Sequence, residues 1–180
     1  MLVVAATPAE LEFVGGADTF VCGFGPVEAA VSTARALATR RYDTVLHIGI
    51  AGARRLSPGT IVIGTEAVYC DLVDPGSSFP RIDRVTADPA LLTAAARALP
   101  EAQVVPIATT ARVGGGRGCC EVEGMEGFGV LRAAEMAGVP ALELRAISNR
   151  LDDPRAEWRI DDAIAALALA VPRVLEALDA

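Results

Sequence analysis

Six short apolar runs, at residues 2–6, 19–23, 44–50, 60–68, 104–108 and 141–148, are rich in β-branched residues and alternate with Ala-rich stretches of helical spacing. Alternation of this kind specifies an α/β chain built on a sheet. Runs such as TVLHIGI are apolar almost without interruption, which suits strands covered by helices on both faces. The expected fold is therefore a three-layer α/β/α sandwich, with helices near 26–40, 89–99, 125–137 and 161–178 and a kink at Pro172. A chain of 180 residues, about half of them apolar, reads as a single domain, 1–180. In open sheets of this class ligands bind beyond the carboxyl ends of the strands. Chemistry is thus expected in the segments 7–10, 23–26, 49–52, 109–113 and 148–150.

Composition removes several function classes. Every basic residue is Arg, so Schiff-base chemistry and the phosphate-gripping lysine of a P-loop are excluded. A net charge of −7 without a basic run sets nucleic acid aside as a partner. The N-terminal apolar run is too short to span a membrane and lacks the flanks of a secretory signal, so a cytoplasmic protein is expected. Cys22, Cys70, Cys119 and Cys120 lack metal-ligand spacing, and the lone His47 lies in an apolar run. Reduced, packed thiols, a core histidine and no metal are the expectation. GFGP at 23–26 lacks the third glycine of a dinucleotide fingerprint, and GGGR at 114–117 lacks the P-loop Lys. The stretches 74–80 and 113–118 have the composition of mobile loops.

Two acids stand out. On a helix starting at Met125, Glu126 shares the face of Val130, Ala133 and Ala137, while Arg132 and Glu135 project oppositely. The helix dipole explains an acid in an exposed first turn, but not one above an apolar stripe. A buried carboxylate needs donors, and vicinal ribose hydroxyls would supply them. Gly124 and Gly127 leave space for a close approach beside it. Glu10 closes a T-P-A-E capping box that also lies at the end of the first strand, so capping and chemistry are both open to it.

The order of AATPAE, GFGPVEAA, HIGIAGA, EGMEGFGV, GVPALELRAISN and RAEWRIDDAIAAL resembles the nucleoside phosphorylase and nucleosidase superfamily over nearly the whole chain. Its R-x-x-W-x-I tail is similar to that of the futalosine hydrolase branch. The resemblance implies a nucleoside phosphorylase-like fold, a purine nucleoside as the small-molecule partner, no cofactor, and a homo-oligomer, dimer or higher. It also implies cleavage of an N-glycosidic bond through an oxocarbenium-like transition state. By position, Glu126 would accept from the ribose hydroxyls, Met125 would pack on the sugar, and Ala51 and Gly52 would contact the nucleoside. Glu10 would hold and activate water, and Asn149 would hydrogen-bond the purine near N7. Asn149 stands where adenine-specific relatives carry Asp, and an amide NH2 offers donors to both O6 and N7 of a 6-oxopurine.

Phosphorylases of the superfamily hold phosphate with a hydroxyl residue and an Arg, where this chain has Ile50 and His47; Arg54 and Arg55 read as solvated. Water is then the nucleophile. The resemblance thus implies hydrolysis of futalosine to hypoxanthine, a step of menaquinone biosynthesis. The alternatives are a methylthioadenosine/adenosylhomocysteine-type nucleosidase and a nucleoside-binding homologue without turnover. The stretch 109–123 is shorter than the family's usual segment, which leaves the base pocket unassigned.

Overall fold

A computed structural model describes residues 1–74, 76, 78–114 and 119–179. Pro75, Ser77 and residues 115–118, which carry part of the two expected mobile loops, lie outside the described residues. In chain order the strands are β1 (Leu2–Ala5), β2 (Asp18–Val21), β3 (Val45–Ala53), β4 (Ile61–Tyr69), β5 (Arg84–Thr86), β6 (Gln103–Thr109), β7 (Val122–Gly124) and β8 (Ala141–Arg150). The helices are α1 (Pro26–Thr39), α2 (Pro89–Ala98), α3 (Gly127–Ala137) and α4 (Ile160–Asp179), with short 3-10 turns at Pro8–Glu10 and Arg155–Glu157. Every expected strand and helix is present within three residues at each end; β5 and β7, three residues each, were not foreseen. Pro172 lies inside one uninterrupted α4.

The layers follow from strand alternation. Val3 packs with Leu46, Leu144, Leu167 and Val171 under α4 and α2, whereas its neighbour Val4 packs with Val130, Leu131 and Ala134 under α3 and α1. Both faces of the sheet are therefore covered, as the unbroken apolar runs require. The sheet is less open than expected. β8 lies between β3, which it pairs in parallel, and β4, which it pairs antiparallel, while β4, β6, β7 and β3 pair in turn and close a ring of five strands. Closure leaves β2 and β5, which branch off the ring, as the terminal strands of the sheet.

Local chemistry sets the helix ends. Asp88 caps α2 by accepting from Ala90 N–H and Leu91 N–H, with Pro89 at the first helical position. α3 stops at Gly138, whose φ of 69° is left-handed backbone. Among the described residues no helix is long and apolar enough to cross a membrane. The expectation of four reduced thiols is corrected: Cys70, at the end of β4, forms a disulfide with Cys119, while Cys22 and Cys120 are free and buried.

Helices α1 and α3 cross closely at Gly129. A Cβ there would collide with the Pro26 carbonyl oxygen and stand 3.0 Å from Ala30 N, both backbone atoms that cannot rotate away. Alanine gains about 1 kcal/mol over glycine in a helix interior, but overpacking costs about 1–3 kcal/mol or more. Gly129→Ala is therefore expected to lower stability despite the better propensity, as a lower urea midpoint at unchanged m-value. An unchanged or raised midpoint would show that the two helices can separate at no cost.

Candidate active site

A cleft of about 510 Å³ opens at the carboxyl ends of β1, β3, β6 and β8. All five segments expected to carry chemistry contribute to it, through Thr7 and Glu10, Phe24, Ile50 to Gly52, Thr110 and Val113, and Ser148 and Asn149. Met125 and Glu126 join them from the turn between β7 and α3. Each sequence-predicted site residue, Glu10, Ala51, Gly52, Met125, Glu126 and Asn149, thus lines one cavity.

Asn149 owes its place to an irregularity in the sheet. β3 and β8 run in register to Ala51 opposite Ile147, then slip so that Gly52 opposes Asn149 and Ser148 is the extra residue. Ser148 Oγ lies 2.7 Å from Asn149 Oδ1 and 3.2 Å from the Ala51 carbonyl, and Asn149 Nδ2 donates to Arg150 O at 2.7 Å. Exchanging the amide's O and N would turn Oδ1 toward the Arg150 carbonyl, so this network fixes the orientation. One Nδ2 hydrogen is consumed, leaving one rather than two donors for a base. A Cβ on Gly52 would approach Asn149 Nδ2 to 3.2 Å, and its absence lets the amide lie flat against the strand.

Glu126 is 4% exposed and stands just before α3, yet it does not cap the helix. Thr109 Oγ1 takes that part, accepting from Phe128 N–H at 2.8 Å. The carboxylate is left to accept from Gly25 N–H at 3.1 Å and to face Arg145 Nη2 at 3.7 Å. Glu10, 5% exposed, is more heavily engaged. Its Oε2 accepts from Thr7 N–H and Oγ–H at 3.0 and 2.8 Å, and its Oε1 from Ile50 N–H at 3.0 Å.

Beneath both acids lies Arg145, which is 1% exposed and was not foreseen. Its Nε donates to Glu143 Oε1 at 2.8 Å, its Nη1 to Ile50 O at 3.3 Å, and its Nη2 to His47 Nε2 at 2.5 Å. A guanidinium only donates, so His47 Nε2 must be the unprotonated nitrogen, and Nδ1–H donates to Val4 O at 3.0 Å. Burial, then the Arg145 charge, holds the imidazole well below its usual value. Burial would also lower the guanidinium, but the charges of Glu143 and Glu126 outweigh it and raise Arg145. Burial raises the Glu143 carboxyl against the pull of Arg145.

One expectation changes. The space beside Gly124 and Gly127 is already filled: a Cβ on Gly124 would stand 3.3 Å from Arg145 Nη2, and one on Gly127 would collide with the Glu143 carboxylate. Arg54 and Arg55 are exposed, as expected, and each is paired: Arg54 with buried Glu123 at 2.9 Å and Arg55 with Glu121 at 3.0 Å. Burial pushes the Cys22 thiol up to about 12, with the Glu126 charge adding to it, so it supplies no nucleophile near neutrality. Sequence reasoning also left Glu123, Ser148 and Trp158 of the lining without a role. The signal for Arg145 was present, since Glu143 and Arg145 alternate within an apolar run as inward-facing strand residues do.

Comparison with known proteins is consistent with this geometry. A family model described as Phosphorylase superfamily matches residues 19–180. A futalosine hydrolase of Streptomyces coelicolor is 36% identical, the match covering 91% of this chain and 80% of that one. A futalosine hydrolase of Thermus thermophilus is 32% identical, covering 85% and 78%. In fold, the chain is similar to an S-adenosylhomocysteine nucleosidase from Streptococcus pyogenes solved with 5-methylthiotubericidin, at a TM-score of 0.86 and 22% identity over 98% of this chain and 96% of that one.

His47 gives the site a measurable pH signature. As pH falls below the ordinary imidazole value of 6.5, the unfolded chain takes up a proton that folded His47 refuses, so its contribution to stability is lost. Glu143 acts with the opposite sign, because its folded carboxyl holds a proton that the unfolded one releases. Comparison with His47→Gln cancels that second effect. From about pH 6 to about pH 5 the wild type is expected to lose about 1.2 kcal/mol relative to the variant in urea unfolding. A difference independent of pH would show that the ring titrates freely in the fold.

Proposed function

The chain belongs to the phosphorylase superfamily and, within it, to the futalosine hydrolase family, and from that membership we propose that it hydrolyses the N-glycosidic bond of futalosine, releasing hypoxanthine, as a step of menaquinone biosynthesis. The observation that supports this most is the convergence of Glu10, Glu126 and Asn149 on one cleft, each nine-tenths or more buried. Two carboxylates and an amide answer the three demands of the reaction: a base for water, an acceptor for the sugar hydroxyls, and a donor for the departing purine.

A carboxylate has about four acceptor sites. Glu126 accepts one hydrogen bond, so it keeps capacity for two vicinal hydroxyls as positive charge builds on the sugar. Glu10 has used three and keeps one, enough for a single water. In the reaction the water oxygen bonds to C1′ as the C1′–N9 bond breaks, its proton passes to Glu10, and the bond's electron pair leaves with the base. The remaining Asn149 N–H donates toward N7 or O6, where that negative charge collects. Met125 packs on the sugar, and the Ala51 and Gly52 backbone borders the base. Arg54 and Arg55, each already held by a glutamate, are poorly disposed to bind phosphate.

The enzyme is further proposed to act as a homo-oligomer. Phe24, Val27 and Val31 support this: all three are exposed beside one another along the start of α1, and Phe24 reaches the cleft. The same proposal places it in the cytoplasm, where a Cys70–Cys119 bridge would be reduced.

A panel of purine nucleosides, with the freed base identified by chromatography, tests the activity. Hypoxanthine should appear from futalosine at a rate unaffected by phosphate. Adenine released preferentially from methylthioadenosine would move the enzyme to the other nucleosidase class, and no free base at all would make it a binding protein. Glu10→Gln should then lower kcat by at least about a hundredfold, the scale of a lost general base, whereas loss of a cap alone would cost about 1 kcal/mol of stability with near-normal turnover. Glu126→Gln should lower kcat/KM by about ten- to a hundredfold, as expected when charge-assisted hydrogen bonds are lost.

A further inference from the structure

Two points on the chain that leads from β6 to β7 are tied to a single residue, Cys70. Its N–H donates to Thr109 O at 3.1 Å, where β4 and β6 end side by side, and its Sγ is bonded to Cys119. Thr110, Val113 and Gly114, which line the cleft, fall between those two ties in sequence. The residue after Cys70, Asp71, adds to the first tie by accepting from Ala111 N–H at 2.5 Å. That first tie belongs to the sheet, and Thr109 is further held by its bond to Phe128 N–H. Only the second can be made and broken by chemistry. It lies within reach of solvent, because Cys119 is exposed, whereas Cys120 is buried with its thiol aimed at Cys119 Sγ at 3.8 Å. Past the bridge, Cys120 O accepts from Arg54 Nε at 3.0 Å, and Arg54 pairs with Glu123 of the lining.

We propose that Cys70 and Cys119 form a reversible thiol–disulfide site, opened by a dithiol and closed by the disulfide of a small thiol, and that its state sets how tightly the cleft holds its ligand. The proposed hydrolysis uses no sulfur, so this site is separate from it. Opening starts at the exposed sulfur. A thiolate of the dithiol attacks Cys119 Sγ, the bridge breaks, and Cys70 leaves as a thiolate that takes a proton from water. The second thiolate of the dithiol then attacks the reductant's own sulfur in the mixed disulfide, closing a disulfide within the reductant and releasing Cys119, which is protonated in turn. Two electrons pass from the dithiol to the bridge. Closure moves two electrons the other way, and the small disulfide leaves as two thiols. Cys120 does not compete in the exchange: burial pushes its thiol up, so it stays protonated and offers Cys119 Sγ a donor rather than a nucleophile. With the bridge closed, Thr110, Val113 and Gly114 are held on both sides before a ligand arrives; with it open, binding must order them. Glu10, Glu126 and Asn149 lie on other segments, so the effect falls on binding rather than on the chemical step. In the reducing cytoplasm proposed above, the open form is the resting state and oxidation tightens the cleft.

Wild type is prepared without oxygen in two forms, closed with glutathione disulfide and opened with dithiothreitol, and each is freed of reagent. Thiols titrated after denaturation identify the state: the closed form should show only the free pair, Cys22 and Cys120, and the open form all four cysteines. Dithiothreitol should convert the first into the second without denaturant. The KM for futalosine is expected to be about two- to tenfold higher in the open form, the scale of ordering a side chain or two on binding, with kcat nearly unchanged. The Cys70→Ser/Cys119→Ser double variant should show the open-form KM under both treatments, and Cys120→Ser should switch like wild type. The two wild-type measurements stand even if a variant fails to fold. A bridge that opens only in denaturant, an equal KM in the two forms, or a double variant that still switches would each overturn the site. If futalosine is not cleaved at all, the hydrolase assignment fails, and the dissociation constant of futalosine by calorimetry in the two forms decides the switch by the same criterion.

Discussion

A guanidinium shut away from water is the constraint around which the site is organised. Burying a lone charge in a low-dielectric interior is severely unfavourable, and Arg145 is tolerated because Glu143, Glu126, the Ile50 carbonyl and a neutral His47 surround it. Such clusters add little net stability, since apolar residues of equal volume often do as well. What this cluster does is geometric. By donating to Ile50 O it sets the peptide whose neighbour on the other side, Ile50 N–H, holds Glu10, and by facing Glu126 it sets the second acid. One residue therefore couples the two acids from below. The cost appears in the sequence as missing side chains: at Gly49, Gly124 and Gly127 a Cβ would run into the Arg145 guanidinium or the Glu143 carboxylate.

That cluster depends in turn on how β8 is placed. Because β8 sits between β3 and β4 in the closed ring, its residues are covered on both faces, and Glu143 and Arg145 point at one another and at β3, β7 and the start of α3. Three residues further on, the slip against β3 turns Asn149 toward the cleft and leaves Ser148 to orient its amide. A strand that stayed in register would carry Asn149 past Gly52, out of line with the bulge that now holds it. The buried charge and the cleft-facing amide are thus set by successive stretches of a single strand.

Periodicity made the architecture legible, and short or long range hid the rest. Runs such as TVLHIGI and the Ala-rich helices carry a signal over seven or more residues, so the three layers and nearly all boundaries could be read. β5 and β7 have three residues each, too few for an alternation to register, and ring closure depends on β7. The face of Glu126 was readable from helical spacing, but the residue relieving it of capping, Thr109, is seventeen positions upstream. The Cys70–Cys119 pairing spans 49 residues, and the nearer pairing partners in sequence gave no hint of it. Glycines were read as room for a ligand when they are room for Arg145 and Glu143, because sequence shows an absent side chain but not what fills its place.

Glu10 shows why structural and chemical roles need not compete. As a capping-box acid it should look outward, satisfying helix donors at a turn, and Thr7 does donate to it twice. Yet those two bonds fall on Oε2 alone, and Ile50 N–H occupies one site of Oε1. Three donors from two separate elements fix the plane of the carboxyl group more firmly than any one could, and the one acceptor site they leave belongs to a residue that lines the cleft. A base that must meet water at a single carbon gains from having only one direction in which to accept. In the proposed reaction the cap is then part of the chemistry, because it leaves Glu10 one direction in which to accept, the one proposed to hold the nucleophile.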